Sequence, residues 1–332
     1  MNNNYLNPHT KIKYEGFMKK IFSLIIALMF MFVFVGCEEK STQIELPQNI
    51  SLTEKDNQPK LKFYDINTKK ITELELEEYL EGVLAGEIFN SWPIEALKAQ
   101  AILARTYTVY FLKNLKSKYE GADISNDISE AQAYDASKIN DNIKIAVAET
   151  RGKVIVADNE PIQAWFHSNS GGKTTTANMG LNYKDEEKYT KIVNSPETNE
   201  NSQNYTWTAK FDKSDILSAL RKMGVSVSSI TDFKIGKKDD SGRAVSFLMG
   251  GAEFSANTFR SKIGSTKMKS TLITDIVVSS SSVVIEGKGY GHGVGMSQWG
   301  AKIMADEGKY AEEIIDYYFG NVSIVQSEYI VK

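Results

Sequence analysis

Residues 82–107 read GVLAGEIFNSWPIEALKAQAILARTY, apolar at helical spacing on both sides of a central FNSWP interruption. Glu87 stands on the apolar side: Leu80, Val83 and Leu84 precede it by seven, four and three residues, spacings that share one helix face. A carboxylate there costs free energy unless it is paired or protonated. The pattern predicts two helices, over about 77–88 and 93–112, with Pro93 in the first turn of the second and Ser91 or Trp92 at its cap. On the second helix Lys98 and Arg105 share a face. That spacing suits an ordinary ion-pair ladder on a helix surface, the usual fate of such charges, or a cationic wall beside the carboxylate.

Outward from the helix pair, residues 61–76 read as short strands around a turn, 142–157 as a helix end and a strand, and 162–172 as a strand running into a glycine turn. A polar loop is expected over 181–205, a helix over 213–223, strands at FKIG and AVSFLMG, a hairpin over 273–287, and final helices near 297–307 and 311–319. Helices and strands mix without regular alternation, which predicts an α+β fold. The helix pair is expected to carry the acid, with a groove between two lobes and residues 206–275 as a candidate accessory lobe.

The 332-residue chain is 42% hydrophobic and 11% aromatic, enough for a substantial core. Its formal charge is -3, and the first 36 residues carry four Lys and one Glu, which leaves the remainder mildly acidic. Without basic runs, and with no pattern of a nucleic-acid module, nucleic acid is not the expected partner. Lys19 and Lys20 precede the apolar run IFSLIIALMFMFVFVGC, so residues 18–36 read as a secretory signal and 1–17 as an upstream extension or a non-native segment from a misassigned start. Cys37 is the only cysteine, which excludes an intramolecular disulfide. Its place at the end of FVGC resembles the lipobox of bacterial lipoproteins, implying lipid attachment and an anchor on the outer face of the cytoplasmic membrane; an uncleaved span is the alternative. Residues 37–60, polar with two prolines, read as a tether to a domain over 61–325.

Two further segments stand out. FHSNSGGKTTT (166–176) holds His167, Ser168 and Ser170 before a Gly-Gly turn. GKGYGHGVGMSQWGA (287–301) places Tyr290, His292, Ser297 and Gln298 in a run with five glycines over nine residues, a composition that presents backbone amides. It lacks the ending and flanks of a phosphate-binding loop. Neither histidine has a neighbour at the spacing of a local zinc motif, and neither a metal nor a cofactor is expected.

Together, residues 77–107, 162–174 and 289–301 resemble the SpoIID/LytB domain family of murein lytic transglycosylases and amidase enhancers, and RGKVIV, SGRAVSFLMGG and FRSKIGSTKMKST resemble family segments in the same order. The resemblance implies cleavage of the bond between N-acetylmuramic acid and N-acetylglucosamine in peptidoglycan glycan strands, with Glu87 as catalytic acid/base. It implies Lys98, Arg105, His167, Ser168, Ser170, Tyr290, His292, Ser297 and Gln298 as substrate-binding residues. A non-catalytic glycan-binding module that enhances a cell-wall amidase is the competing implication. The zinc-ligand segment of some relatives falls on NDISEAQAY (126–134), where the ligands are replaced. Trp165 and Trp299 stand where relatives have tyrosine, as sugar-stacking or as core residues.

Overall fold

The helix pair is present and central. In this computed structural model, which describes residues 41–184, 188–227 and 229–332, the first helix (α1) spans Leu76–Glu87 and the second (α2) Ile94–Asn114. Leu76, Tyr79, Leu80, Val83 and Leu84 of α1 are fully buried. Along α2, Ala96, Leu97, Ala99, Ala101, Ile102, Leu103 and Ala104 are buried on every side, the signature of a core helix rather than a surface one. Its alanines let neighbouring elements approach closely, and it touches α1, a third helix (α3, Asp141–Glu149), the strand Lys153–Ala157 and the C-terminal helices. The turn is closed by Trp92 N–H donating to the Phe89 carbonyl at 3.1 Å. Pro93 itself occupies the cap of α2, where Ser91 or Trp92 was expected, with its carbonyl accepting from Ala96 and Leu97.

Around the helices lies a mixed set of small sheets, an α+β architecture. The strand order Ser41–Leu46, Ser323–Val331, Lys153–Ala157, Glu160–Pro161 joins the first described strand to the last in parallel. A second sheet holds Ser51–Leu52, Pro59–Asp65 and Lys70–Glu75, with Ile124–Ser125 beside Pro59–Asp65. Residues 41–60 are therefore not the expected tether. Ile44, Leu46 and Ile50 are almost fully buried in the core of α1 and α2, so this segment is part of the folded unit. The final strand likewise runs past 325 to Val331.

Residues between Trp207 and Ile285 form their own hydrophobic cluster, around Phe211, Phe233, Phe247 and Phe259. It takes in both strands of the hairpin Leu272–Val278 and Ser282–Lys288, which pairs with Thr206–Asp212. The expected boundary at 275 cuts through this hairpin and moves to its end. The strand expected over 162–172 shrinks to Phe166–His167, paired in parallel with Met296–Ser297, so the two glycine-flanked segments lie side by side. The signal, Cys37 and residues 37–40 lie outside the described residues.

Candidate functional site

Glu87 is the last residue of α1. Gly82 and Gly86, one turn apart, leave a bare strip on that helix, and residues 133–134 lie in it. A Cβ on Gly82 would stand 2.1 Å from the Tyr134 ring, and one on Gly86 2.8 Å from the Tyr134 backbone nitrogen. Because the strip carries no side chains of its own, the Ala133 N–H reaches Glu87 Oε1 at 2.6 Å. Burial pushes the Glu87 carboxyl up to about 7, while the Ala133 hydrogen bond pulls the other way. The carbonyl end of α1 also disfavours the carboxylate. Glu87 lines a depression of about 250 Å³ together with Ala85, Gly86, Ile88, Phe89, Asn90 and Lys138. Among the described residues no second carboxylate lines it; Asp135 is held by Lys138 at 2.8 Å and by Ser137. Such a group is a proton donor and acceptor near neutral pH.

The two cations expected beside Glu87 are engaged elsewhere. Lys98 Nζ bonds Glu149 Oε2 at 2.6 Å and Glu95 Oε1 at 2.9 Å. Arg105 is fully buried; its Nε and Nη2 donate to Glu77 Oε1 and Oε2 at 2.9 and 2.6 Å, and further bonds reach the carbonyls of Val147 and Lys153. This bidentate pair ties α1 to α2 and to α3, and leaves Arg105 no surface to offer a substrate. The ladder reading describes Lys98, and a buried structural bridge describes Arg105. Among the described residues the cation that lines the depression is Lys138, which spacing on α2 had no means to find.

Of the residues in the two glycine-flanked segments, Gln298 reaches the Glu87 region directly: its Nε2 donates to the Glu87 carbonyl at 3.1 Å and to Gln100 Oε1 at 3.3 Å. Ser168 is half-buried and its carbonyl accepts from Trp299 N–H. Ser170 and Ser297 are buried, and both hydroxyls donate to Glu197 Oε1, at 2.5 and 2.7 Å. They are internal ties rather than a substrate surface, a correction to the expectation above. Glu197, inside the polar loop over 181–205, gave no periodic or motif signal, and only long-range packing identifies it.

His167 is buried, with Nδ1 3.0 Å from the Val294 carbonyl, and the His292 Nδ1 accepts from Val294 N–H at 3.0 Å. The rings lie 5.6 Å apart. Burial pushes His167 well below its usual range and His292 down to about 3, so both are neutral at physiological pH. With Nδ1 donating, the buried His167 Nε2 is a bare acceptor without a partner. Gly291, at φ +122, sits directly over His167, where a Cβ would come within 2.6 Å of the histidine's own; this close approach is what its glycine permits. Tyr290 is half-buried, with the Lys269 ammonium 5.5 Å from its ring.

Trp165 packs between Tyr183 and Tyr189, and Trp299 packs edge-on to Trp92 at 4.8 Å; both are nearly buried. The core alternative describes them. In the segment 126–134, Glu130 accepts from Ser117, Ser125 and the Lys118 N–H. Among the described residues no group of three or more His, Cys, Asp or Glu is placed to hold a metal ion.

Residues 64–156, which contain the helix pair and the Ala133 strip, match the family model described as "Stage II sporulation protein", and 158–295 match a domain of unknown function. A stage II sporulation protein D of Bacillus amyloliquefaciens is 30% identical over 290 residues, covering 83% of this chain and 81% of that protein. The chain belongs to the SpoIID/LytB family. An uncharacterized Brachyspira hyodysenteriae protein is 31% identical over 256 residues, 77% of this chain and 68% of its own length. The Bacillus subtilis amidase enhancer is 28% identical over 291 residues, 74% of this chain and 40% of that protein. The SpoIID-matching segment carries Glu87, Lys98, Arg105 and Lys138, whereas Ser297 and Gln298 lie beyond both matched segments.

Proposed function

We propose that this SpoIID/LytB-family chain acts on the bacterial cell wall as a lytic transglycosylase of peptidoglycan glycan strands. The observation that supports this reading is the Glu87 carboxyl, raised to about 7 beside a depression that has no second carboxylate among the described residues. Protonated Glu87 donates to the oxygen between N-acetylmuramic acid and N-acetylglucosamine as that bond breaks, and positive charge develops on the muramic ring. The resulting carboxylate then takes the proton of that sugar's C6 hydroxyl, whose oxygen attacks C1. A 1,6-anhydro ring forms and Glu87 is again protonated. Hydrolases keep a second carboxylate for water or for a covalent intermediate; internal attack has no use for one. We further propose that Cys37 carries the lipid that holds the domain at the outer face of the cytoplasmic membrane, and that the glycan runs past Gln298 toward the half-buried Ser168, Tyr290 and His292.

A second reading is a glycan-binding module that enhances a cell-wall amidase. It is favoured by the likeness to the amidase enhancer and by Lys98 and Arg105 being engaged in ion pairs away from the depression. Mass spectrometry of glycan strands, with and without stem peptides, treated with wild type and Glu87→Gln separates the two. Anhydro-ended products from wild type alone support the transglycosylase. Intact glycan in both, with binding kept, supports the enhancer. Reducing ends heavier by one water sink the internal-attack step.

A further inference from the structure

Phe89 stands two residues beyond Glu87 and is 54% exposed, an unusual position for a phenylalanine beside a candidate site. It lines the same depression as Glu87. Its ring is held in place: Trp92 lies 5.3 Å from it and Trp299 6.4 Å, both themselves nearly buried. The backbone around it is held too. The Phe89 carbonyl accepts from Trp92 N–H, the Asn90 carbonyl accepts from Asn140 and Asn142, and Asn90 Nδ2 donates to the Lys138 carbonyl at 2.8 Å. One exposed aromatic surface is thus braced from behind, with a carboxyl, an amide and an ammonium at its border.

We infer that Phe89 is a sugar-stacking platform, which takes the apolar C–H face of an N-acetylated hexopyranose ring next to the bond presented to Glu87. The inference rests on the glycan substrate proposed above and adds a residue to it. A pyranose presents C–H groups on its face and hydroxyls at its rim, the inverse of a polar-rimmed aromatic plate. A preset ring costs little ordering on binding. A protein partner docking on Phe89 is the other occupant such a surface admits, and the ligand used below discriminates it.

The test uses the full-length chain carrying Glu87→Gln, so that glycan is not consumed, and a soluble N-acetylglucosamine/N-acetylmuramic acid oligosaccharide as ligand. Trp92 and Trp299 touch Phe89, so their fluorescence reports binding. Phe89→Leu is expected to weaken the oligosaccharide by about 5–10-fold, with Phe89→Trp binding as the parent. At most a small shift in thermal unfolding is expected in either, because about half of the side chain is exposed. Equal affinity of the Leu variant and parent overturns the platform. So does loss of binding in the Leu and Trp variants alike. The platform and the reaction fail separately. If wild type makes no anhydro ends yet Phe89→Leu still weakens the oligosaccharide, the platform stands on a binding module. If anhydro ends form and the Leu variant keeps KM and affinity, the reaction stands and the platform falls.

Discussion

Glu87 is legible in sequence as an acid on an apolar helix face, and the structure supplies the physical reason it is tolerated. It ends its helix, it opens partly to solvent, and one backbone N–H serves it. The sign of its effect on stability follows. Its folded value of about 7 lies above the ordinary 4.5, so below pH 4.5 both folded and unfolded chains hold the proton. Between those values the unfolded chain ionises and the folded one does not, and stability is lost as pH rises. Allowing for partial exposure, the loss is roughly 2 kcal/mol. Glu87→Gln is expected to unfold at the same temperature as wild type near pH 4 and several degrees higher at pH 8, read by calorimetry at both. A variant of lower stability at pH 8 would mean that the carboxylate is well solvated. Arg105 was less legible. Its spacing on α2 is real, but on a helix buried all round the partner of Arg105 is set by Glu77 and α3, which periodicity within α2 does not encode.

At the scale of elements, local pattern worked well because the helix pair is specified locally: apolar period, FNSWP break and Pro93 place α1 and α2 to within a residue or two. The contact that matters to the carboxyl is not local. Gly82 and Gly86 are visible as glycines one turn apart, but their meaning lies in residues 133–134, which fill the strip they leave. Helix propensity alone has Gly86→Ala stabilise α1 by up to about 1 kcal/mol. The packing reverses the sign: the three atoms nearest the new Cβ are backbone atoms of Ala133 and Tyr134, at 2.8–2.9 Å, and backbone does not give way cheaply. Gly86→Ala is expected to lose about 1–3 kcal/mol in denaturant unfolding. It should also loosen the Ala133 N–H from Glu87, removing the one interaction that holds the carboxyl down, so the pH at which Glu87 titrates moves upward. A stabilised variant with an unmoved titration would refute the strip as the element that sets Glu87.

Over the whole molecule, pairings between distant residues close the fold, and here sequence reading was weakest. Ser41–Leu46 alternates apolar and polar residues weakly and is followed by Pro47, so it reads as linker; its partner is Ser323–Val331 at the other end of the chain. The pairing is parallel and non-local, invisible to any short window. Yet Ile44, Leu46 and Ile50 bury their side chains against the core that holds the helix pair. At about 1.5–3 kcal/mol for each buried apolar side chain, removing them subtracts an amount comparable with the 5–15 kcal/mol that keeps a typical domain folded. It also uncovers one edge of the Ser323–Val331 strand, a site for unwanted pairing. A chain beginning at Leu61 is therefore expected to melt far below one beginning at Ser41, or to lose cooperative unfolding and aggregate. The proposed glycan binding and cleavage should fall with it, although Glu87 and its immediate neighbours are all retained. Thermal unfolding of the two chains side by side decides it, and equal melting temperatures would return residues 41–60 to the role of a tether.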